Sequence, residues 1–168
     1  MSKISIRKLA ASDWDAIRHI YLDGIATGQA TFETAAPSWQ RWDESHLKFA
    51  RLGATIDENP KIVGWAALSP ISRRAVYSGV AEVSVYVAAD ERGHGVGRAL
   101  LAQLITESER NGMWSLRASI FPENMASIDL HKGAGFCVVG RYQRIGKLLG
   151  VWRDTVLLER RSNTVGID

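Results

Sequence analysis

The sequence predicts an α/β fold, one mixed sheet flanked by helices. Three observations carry this. Runs of alternating β-branched residues exchange with segments of helical period, in the order β-α-α-β-β-β-α-β-α-β-β. The most regular run, Val80 to Val87, is rich in valine and has the period of a strand. A glycine-rich turn then separates that strand from a leucine-rich helical segment.

Each element follows from its own residues. Lys3 to Lys8 alternates Ile4 and Ile6 with polar neighbours, a first strand. Ser12-x-x-Asp15 has capping-box spacing, Ile17, Ile20 and Tyr21 follow at helical spacing, and Gly24 to Gly28 ends the helix. Pro37-Ser38 opens a second helix with Trp42, His46 and Phe49 on one face and Gly53 as its stop. Gly53 to Ile56 and Lys61 to Leu68 form a hairpin around the turn residues Asp57-Glu58-Asn59-Pro60. Pro70 to Gly79 is a loop carrying Arg73 and Arg74. Beyond the Val80 strand, Val96 to Asn111 is a helix that turns Leu100, Leu101, Leu104 and Ile105 inward and ends at Asn111-Gly112. Ser115 to Phe121 is a strand, and Asn124 to Lys132 a short helix stopped by Gly133 and Gly135. Phe136 to Gly140 and Trp152 to Leu158 are the last strands.

Length and composition bound the function. The 168 residues, 46% hydrophobic and 23% charged, are expected to form one domain over 1–168. A net charge of +3 with no run of Lys or Arg speaks against a nucleic-acid partner. The polar start MSKISIRKLA has no apolar core of a secretory signal, and no stretch of about 18 apolar residues suggests a membrane partner. Cys137 is the lone cysteine, so no internal disulfide forms and a cytoplasmic location is expected. Its apolar setting, Phe136-Cys137-Val138-Val139, predicts a buried, inert thiol. No C-x-x-C or H-E-x-x-H is present and the 4 histidines are scattered, so no metal is expected. The 6 tryptophans serve a core, an interface or a pocket.

The turn reads Asp90-Glu91-Arg92-Gly93-His94-Gly95-Val96-Gly97-Arg98. Glycines allow positive φ and close approach of amides, and a helix start offers free N–H groups to an anion. A Rossmann fingerprint fails because Arg98 stands where its third glycine belongs, and a Walker loop fails for want of Gly-Lys-Ser/Thr. An Arg-x-x-Gly-x-Gly anion site remains, beside the plainer reading of a ligand-free β-to-α turn.

That pattern resembles the acyl-CoA signature of the GNAT superfamily of N-acetyltransferases. Asn124-x-x-Ser127-Ile128-x-Leu130-His131 followed by Gly135-Phe136 resembles the second half of that signature, and the element order is similar over nearly the whole chain. Ala81-Glu82-Val83-Ser84-Val85-Tyr86-Val87, Ile20-Tyr21, Thr31-Phe32-Glu33 and Ile145-Gly146-x-x-x-Gly150-x-Trp152-x-Asp154 are similar to the branch that acetylates phosphinothricin and methionine sulfoximine. The resemblance implies the acyl-CoA N-acyltransferase fold, a mostly antiparallel central sheet flanked by helices. It also implies acetyl-CoA as co-substrate, no metal, a small-molecule amine as acceptor, a role in detoxification and a homodimer.

The site residues follow from the same resemblance. Glu82 shares a strand face with Ser84 and Tyr86. By its residues alone it is a half-exposed strand carboxylate, and by the resemblance it is the general base that frees the acceptor's amine. His131 stands where the superfamily often carries Tyr, as general acid for the departing thiolate or as a structural imidazole. The Val85-Tyr86-Val87 main chain would pair with the pantetheine arm. Arg92, Gly93, His94, Gly95, Val96, Gly97 and Arg98 would hold the pyrophosphate. Asn124, with Ser127 one turn on, would bind a pantetheine amide as well as cap its helix. Arg73 and Arg74, with Tyr77, would meet an acceptor carboxylate, or are solvated loop residues. Phe32 and Trp152 would wall the acceptor pocket, or pack in the core. Segments that depart from the branch, Ser69 to Arg73 and Leu148 to Val151, are those expected to touch the acceptor. Three activities therefore stand: acetylation of an amino-acid analogue, acetylation of another amine such as a protein N-terminus or polyamine, or acyl-CoA binding without catalysis.

Overall fold

The computed structural model describes residues 3–168. Seven strands form one sheet: β1 (Ile4–Lys8), β2 (Leu52–Ile56), β3 (Gly64–Pro70), β4 (Val80–Val87), β5 (Ser115–Ile120), β6 (Cys137–Leu148) and β7 (Val151–Arg161). Their spatial order is β1-β2-β3-β4-β5-β7-β6. Every pairing is antiparallel except β4 with β5. Four helices flank the sheet: α1 (Trp14–Ala26), α2 (Trp39–Ser45), α3 (Val96–Arg110) and α4 (Met125–Gly133). The order matches the one expected from sequence.

Strand alternation builds two cores. On one face Ala66, Leu68, Ala81 and Val83 pack with Leu100, Leu101 and Leu104 of α3 and Ile128 of α4. On the other, Trp65 and Ala67 meet Ile17 and Ile20 of α1 and Trp42 of α2. Four tryptophans belong to this second core: Trp14, Trp39 and Trp42 pack together at 5.6–6.1 Å, and Trp65 stands edge-on to Trp42. Trp65 also stacks on Tyr86 at 4.8 Å. Among the described residues no helix is long and apolar enough to cross a membrane.

Several boundaries differ from expectation for physical reasons. The Ser12–Asp15 capping box does not form. Instead the Ala10 N–H donates to Asp13, which also binds Arg7, and α1 starts at Trp14. Helix α2 stops at Ser45, well before Gly53, because His46 turns extended and the Leu47 N–H donates to the Leu68 carbonyl at 2.8 Å. Arg51 then gathers the carbonyls of Asp43, His46 and Leu47. Gly53 lies inside β2, where a Cβ would meet Leu9 and Ile62 at 2.6 and 2.7 Å.

The last two strands are longer than expected. They form a hairpin closed by Leu149 and Gly150, both at positive φ, the geometry of a tight two-residue turn. Strand β6 is exposed on both faces over most of its length, so it carries no period-two signal. Cys137 is exposed rather than buried, since β6 is the sheet's edge.

Gly79 opens β4, and its carbonyl accepts the N–H groups of Trp114 and Ser115. A Cβ there would fall 2.1 Å from the Trp114 ring. Gly79→Ala is expected to cost about 1–3 kcal/mol. Gly140, which has open space around it, should tolerate alanine within about 0.5 kcal/mol. Urea midpoints of the two variants check this.

Candidate active site

The sheet opens at its one parallel pairing. β4 and β5 are in register only from Val80↔Ser115 to Glu82↔Arg117, and beyond Glu82 the strands part. A cleft of about 1290 Å³ occupies the gap. One wall is Val83 to Val87, the other Ala118 to Phe121. The cleft thus crosses the sheet, with one mouth among α3 and α4 and the other among α1, its following loop and β3.

At the first mouth the glycine turn is built for an anion. Gly93 and Gly95 have φ of 81° and 90°, and Gly95 caps α3. The first helical bond runs from the Ala99 N–H to the Gly95 carbonyl. The amides of Val96, Gly97 and Arg98 therefore have no acceptor within the helix, and they stand at its positive end. Arg92, Gly93, Gly95, Gly97 and Arg98 line the cleft. His94 and Val96 do not: His94 faces Glu91 at 3.7 Å and the Val96 side chain is buried in the core, so each offers only main chain. Arg92 Nε donates to the Val87 carbonyl at 3.2 Å, which occupies one of the strand groups assigned to pantetheine.

Asn124 and Ser127 line the same half. Asn124 accepts the Ser127 N–H at 3.2 Å as helix cap, and its Nδ2 donates to the Gln29 carbonyl at 3.2 Å. Its spare lone pair and second N–H are what remain for a ligand. His131 also lines the cleft and is only 4% exposed. Its Nδ1 lies 2.7 Å from the Ser127 carbonyl. A carbonyl only accepts, so Nδ1 carries the proton and the buried Nε2, which has no partner, presents a lone pair. Burial lowers the His131 pKa and holds the ring neutral.

At the second mouth stand Glu82, Tyr21, Tyr86, Phe32, Glu33, Ser69 and His46. Water reaches Glu82 from the cleft, yet protein atoms crowd it on the other sides. That desolvation raises its pKa above the usual carboxylate value. Among the described residues none forms an ion pair or hydrogen bond with its carboxylate, Arg117 beside it on β5 included. The Tyr86 main chain belongs to the cleft wall, while its ring turns into the aromatic core against Trp65 and Tyr21. Burial raises the phenol pKa of both Tyr21 and Tyr86. Phe32 meets Phe121 edge-on at 4.8 Å and lies over Gly146, where a Cβ would be 3.0 Å from its ring.

Three residues assigned to the acceptor lie elsewhere. Arg73, Arg74 and Tyr77 sit on the exposed loop outside the cleft lining, and Arg74 stacks over Tyr77 at 5.4 Å. Trp152 does not wall the pocket either; it is half-exposed on the β6–β7 hairpin beneath Lys147. Sequence reasoning missed His46, which lines the second mouth. Its Nδ1 lies 2.7 Å from the Trp42 carbonyl and its ring stacks on Trp42, so its Nε2 likewise carries a lone pair. Burial lowers its pKa. The only sequence signal was its i+4 spacing from Trp42, which reads equally as packing.

The model of the acetyltransferase (GNAT) family matches residues 12–136. The chain belongs to this family. It is 33% identical over 169 residues to the phosphinothricin N-acetyltransferase of Alcaligenes faecalis, covering 95% of this chain and 83% of that one. It is 32% identical over 162 residues to an L-methionine sulfoximine/L-methionine sulfone acetyltransferase of Pseudomonas aeruginosa, covering 92% of each. A GNAT phosphinothricin acetyltransferase from Sinorhizobium meliloti, solved with acetyl-CoA, superposes with a TM-score of 0.87 at 27% identity, covering 98% of this chain and 91% of that one. The GNAT chain described here is an N-acetyltransferase.

Alanine at Gly95 forces a Cβ into the left-handed region and displaces the free amides. Gly95→Ala is expected to weaken CoA binding about tenfold, measured by calorimetric titration with CoA alone.

Proposed function

We propose that the chain, as one domain over 1–168, transfers the acetyl group of acetyl-CoA to the α-amino group of a small amino-acid analogue of the phosphinothricin or methionine sulfoximine kind, with Glu82 as general base. The observation that carries this is Glu82 itself: an unpaired carboxylate with a raised pKa, at the point where β4 leaves β5 and the cleft opens. The free amides of Val96 to Arg98, with Arg92 and Arg98, suit the pyrophosphate of CoA, and the unpaired edge of Val83 to Val87 suits an extended pantetheine arm. The names of the relatives supply the acceptor class.

The chemistry starts from an ammonium, which has no lone pair to attack with. Glu82 takes one proton, directly or through a water. The nitrogen then bonds to the thioester carbon and the carbon–sulfur bond breaks. A second nitrogen proton must leave as the amide forms. Neutral His131, with its lone pair on Nε2, is assigned that proton and passes it to the departing sulfur. The general acid thus begins as an acceptor, and amide, thiol and protonated Glu82 complete the balance.

One observation favours an acceptor without a carboxylate. Around the second mouth the lining carries Glu33 and Glu82, and the only lining guanidiniums among the described residues are Arg92 and Arg98, at the glycine turn. A polyamine or a protein N-terminus would suit such a mouth. Turnover of acetyl-CoA against a panel of amino-acid analogues, polyamines and peptides separates the readings, and tight CoA binding with no turnover would point to a non-catalytic module.

The same reading includes a homodimer. Val138, Val139, Tyr142, Ile145, Val151 and Trp152 are half-exposed or more on one hairpin, and the outer edge of β6 is unpaired. A second copy on this face would cover both. An exposed free Cys137 suits a reducing cytoplasm, and removal of toxic amino-acid analogues is the corresponding role.

Glu82→Gln is expected to lower kcat by about 10²-fold or more while the CoA dissociation constant stays unchanged. The kcat/KM for the amine should fall as pH drops through a Glu82 pKa above the ordinary value. Near-normal turnover in the variant would remove Glu82 from the role. For the dimer, light scattering should give twice the chain mass, and Val139→Asp with Ile145→Asp should give a monomer.

A further inference from the structure

Arg153, on β7, is buried to 15% side-chain exposure although it is not part of the cleft lining. Its guanidinium reaches across to the loop that follows α1. Nη1 donates to the Gly28 carbonyl at 3.1 Å, and Nη2 donates to Gln29 Oε1 at 3.0 Å and Glu123 Oε2 at 3.2 Å. Its Cζ lies 4.1 Å from the centre of the Phe121 ring. One side chain therefore holds the loop, the segment before α4 and the wall of the cleft.

Those contacts join the two mouths. Gln29, whose side chain Arg153 holds, gives its carbonyl to Asn124 at the donor mouth. Phe121, under the guanidinium, carries Phe32 at the acceptor mouth. Gly28 has φ of 65°, so the chain turns sharply there, and the amides of Gln29 and Glu33 are held only by the hydroxyls of Thr27 and Thr31. Without Arg153 the loop from Gly28 to Glu33 would keep the single Asn124 bond and the Phe32 ring as its ties to the far wall.

We propose that Arg153 is a positioning residue that makes the acceptor loop and the Asn124 end of α4 one body, so that occupation of the donor mouth orders the acceptor mouth. This rests on the donor and acceptor assignments made above. A fork is required, since two acceptors on successive loop residues are held by different nitrogens. Lysine can satisfy only part of that geometry. Because coupling is reciprocal, whatever CoA does for acceptor binding the acceptor does for CoA.

Hydrogen exchange in the full-length protein tests this without knowledge of the acceptor, with CoA itself as the ligand. In the wild-type chain CoA should slow exchange in both the glycine turn, 93–98, and the loop, 27–33. In Arg153→Leu the glycine turn should still be protected, while the loop exchanges about tenfold faster and gains no protection from CoA. Arg153→Lys should fall between, and Glu123→Ala, which removes the tie to the segment before α4 but leaves the Gly28 and Gln29 contacts in place, should keep the wild-type loop exchange without ligand and lose part of the protection that CoA gives the loop. With an accepted amine, Arg153→Leu should raise the acceptor KM about tenfold, while the CoA dissociation constant measured without the amine should stay within about threefold. Loop exchange in Arg153→Leu equal to wild type, with or without CoA, would overturn the proposal. If that variant does not fold, Arg153→Lys and Gln29→Ala make the same comparison, and unchanged loop exchange in both overturns it. CoA that protects neither segment in the wild type would refute the donor-site assignment and the coupling with it, whereas a protected glycine turn with an unaffected loop would refute the coupling alone.

Discussion

The separation of β4 from β5 after Glu82 is the constraint on which the site depends. Three residues of parallel pairing hold the strands together, and beyond them each keeps only its partner on the other side. β5 stays with β7, and β4 stays with β3. The gap leaves strand groups of β4 without a neighbour inside the protein, a cost that a fold tolerates where water or a ligand completes the pairing. It also sets Glu82 at the last paired position, where one side of the residue is sheet and the other is cleft.

The electrostatics of the cleft divide along the same line. At the donor mouth the helix terminus and two arginines gather positive potential, which suits a polyanion. At the acceptor mouth Glu33 and Glu82 stand without a cation among the lining residues. Between them two histidines share one device. Each gives its Nδ1 proton to the carbonyl four residues earlier, His131 within α4 and His46 just past the end of α2, and so keeps a lone pair on Nε2. Burial lowers both pKa values, so neither ring adds charge near neutral pH. In the mechanism proposed above, Glu82 and the Nε2 of His131 take the protons that an ammonium must lose.

The supporting structure explains why the acceptor mouth is held by so few parts. The second core is small and aromatic, and its tryptophans fix α1 and α2 against β3 and β4. The loop between those helices spans from Thr27 to Ser38 with no regular pairing of its own. It is held from across the cleft by Arg153 and Asn124, which come from elements far away in sequence.

Much of this was legible in the residues. The element order, the glycine turn, the inward leucines of α3 and the cap at Asn124 are local, because propensity, period and capping act within a few residues. The family was legible for the same reason, since its signatures are contiguous turns and helix starts. Local pattern overextends helix α2 because the bond that ends it, Leu47 to Leu68, comes from another strand. Local pattern cuts the β6–β7 hairpin short because an edge strand exposed on both faces carries no alternation. Arg73, Arg74 and Trp152 carry the chemistry of an acceptor site but not its position, and His46 and Arg153 hold positions that no local pattern marks. The sequence by itself therefore determined the fold, the family and the anion turn. Only the tertiary structure decided which side chains meet at the cleft, because that depends on where the two parallel strands part and on contacts between segments more than a hundred residues apart, such as Arg153 with Gly28.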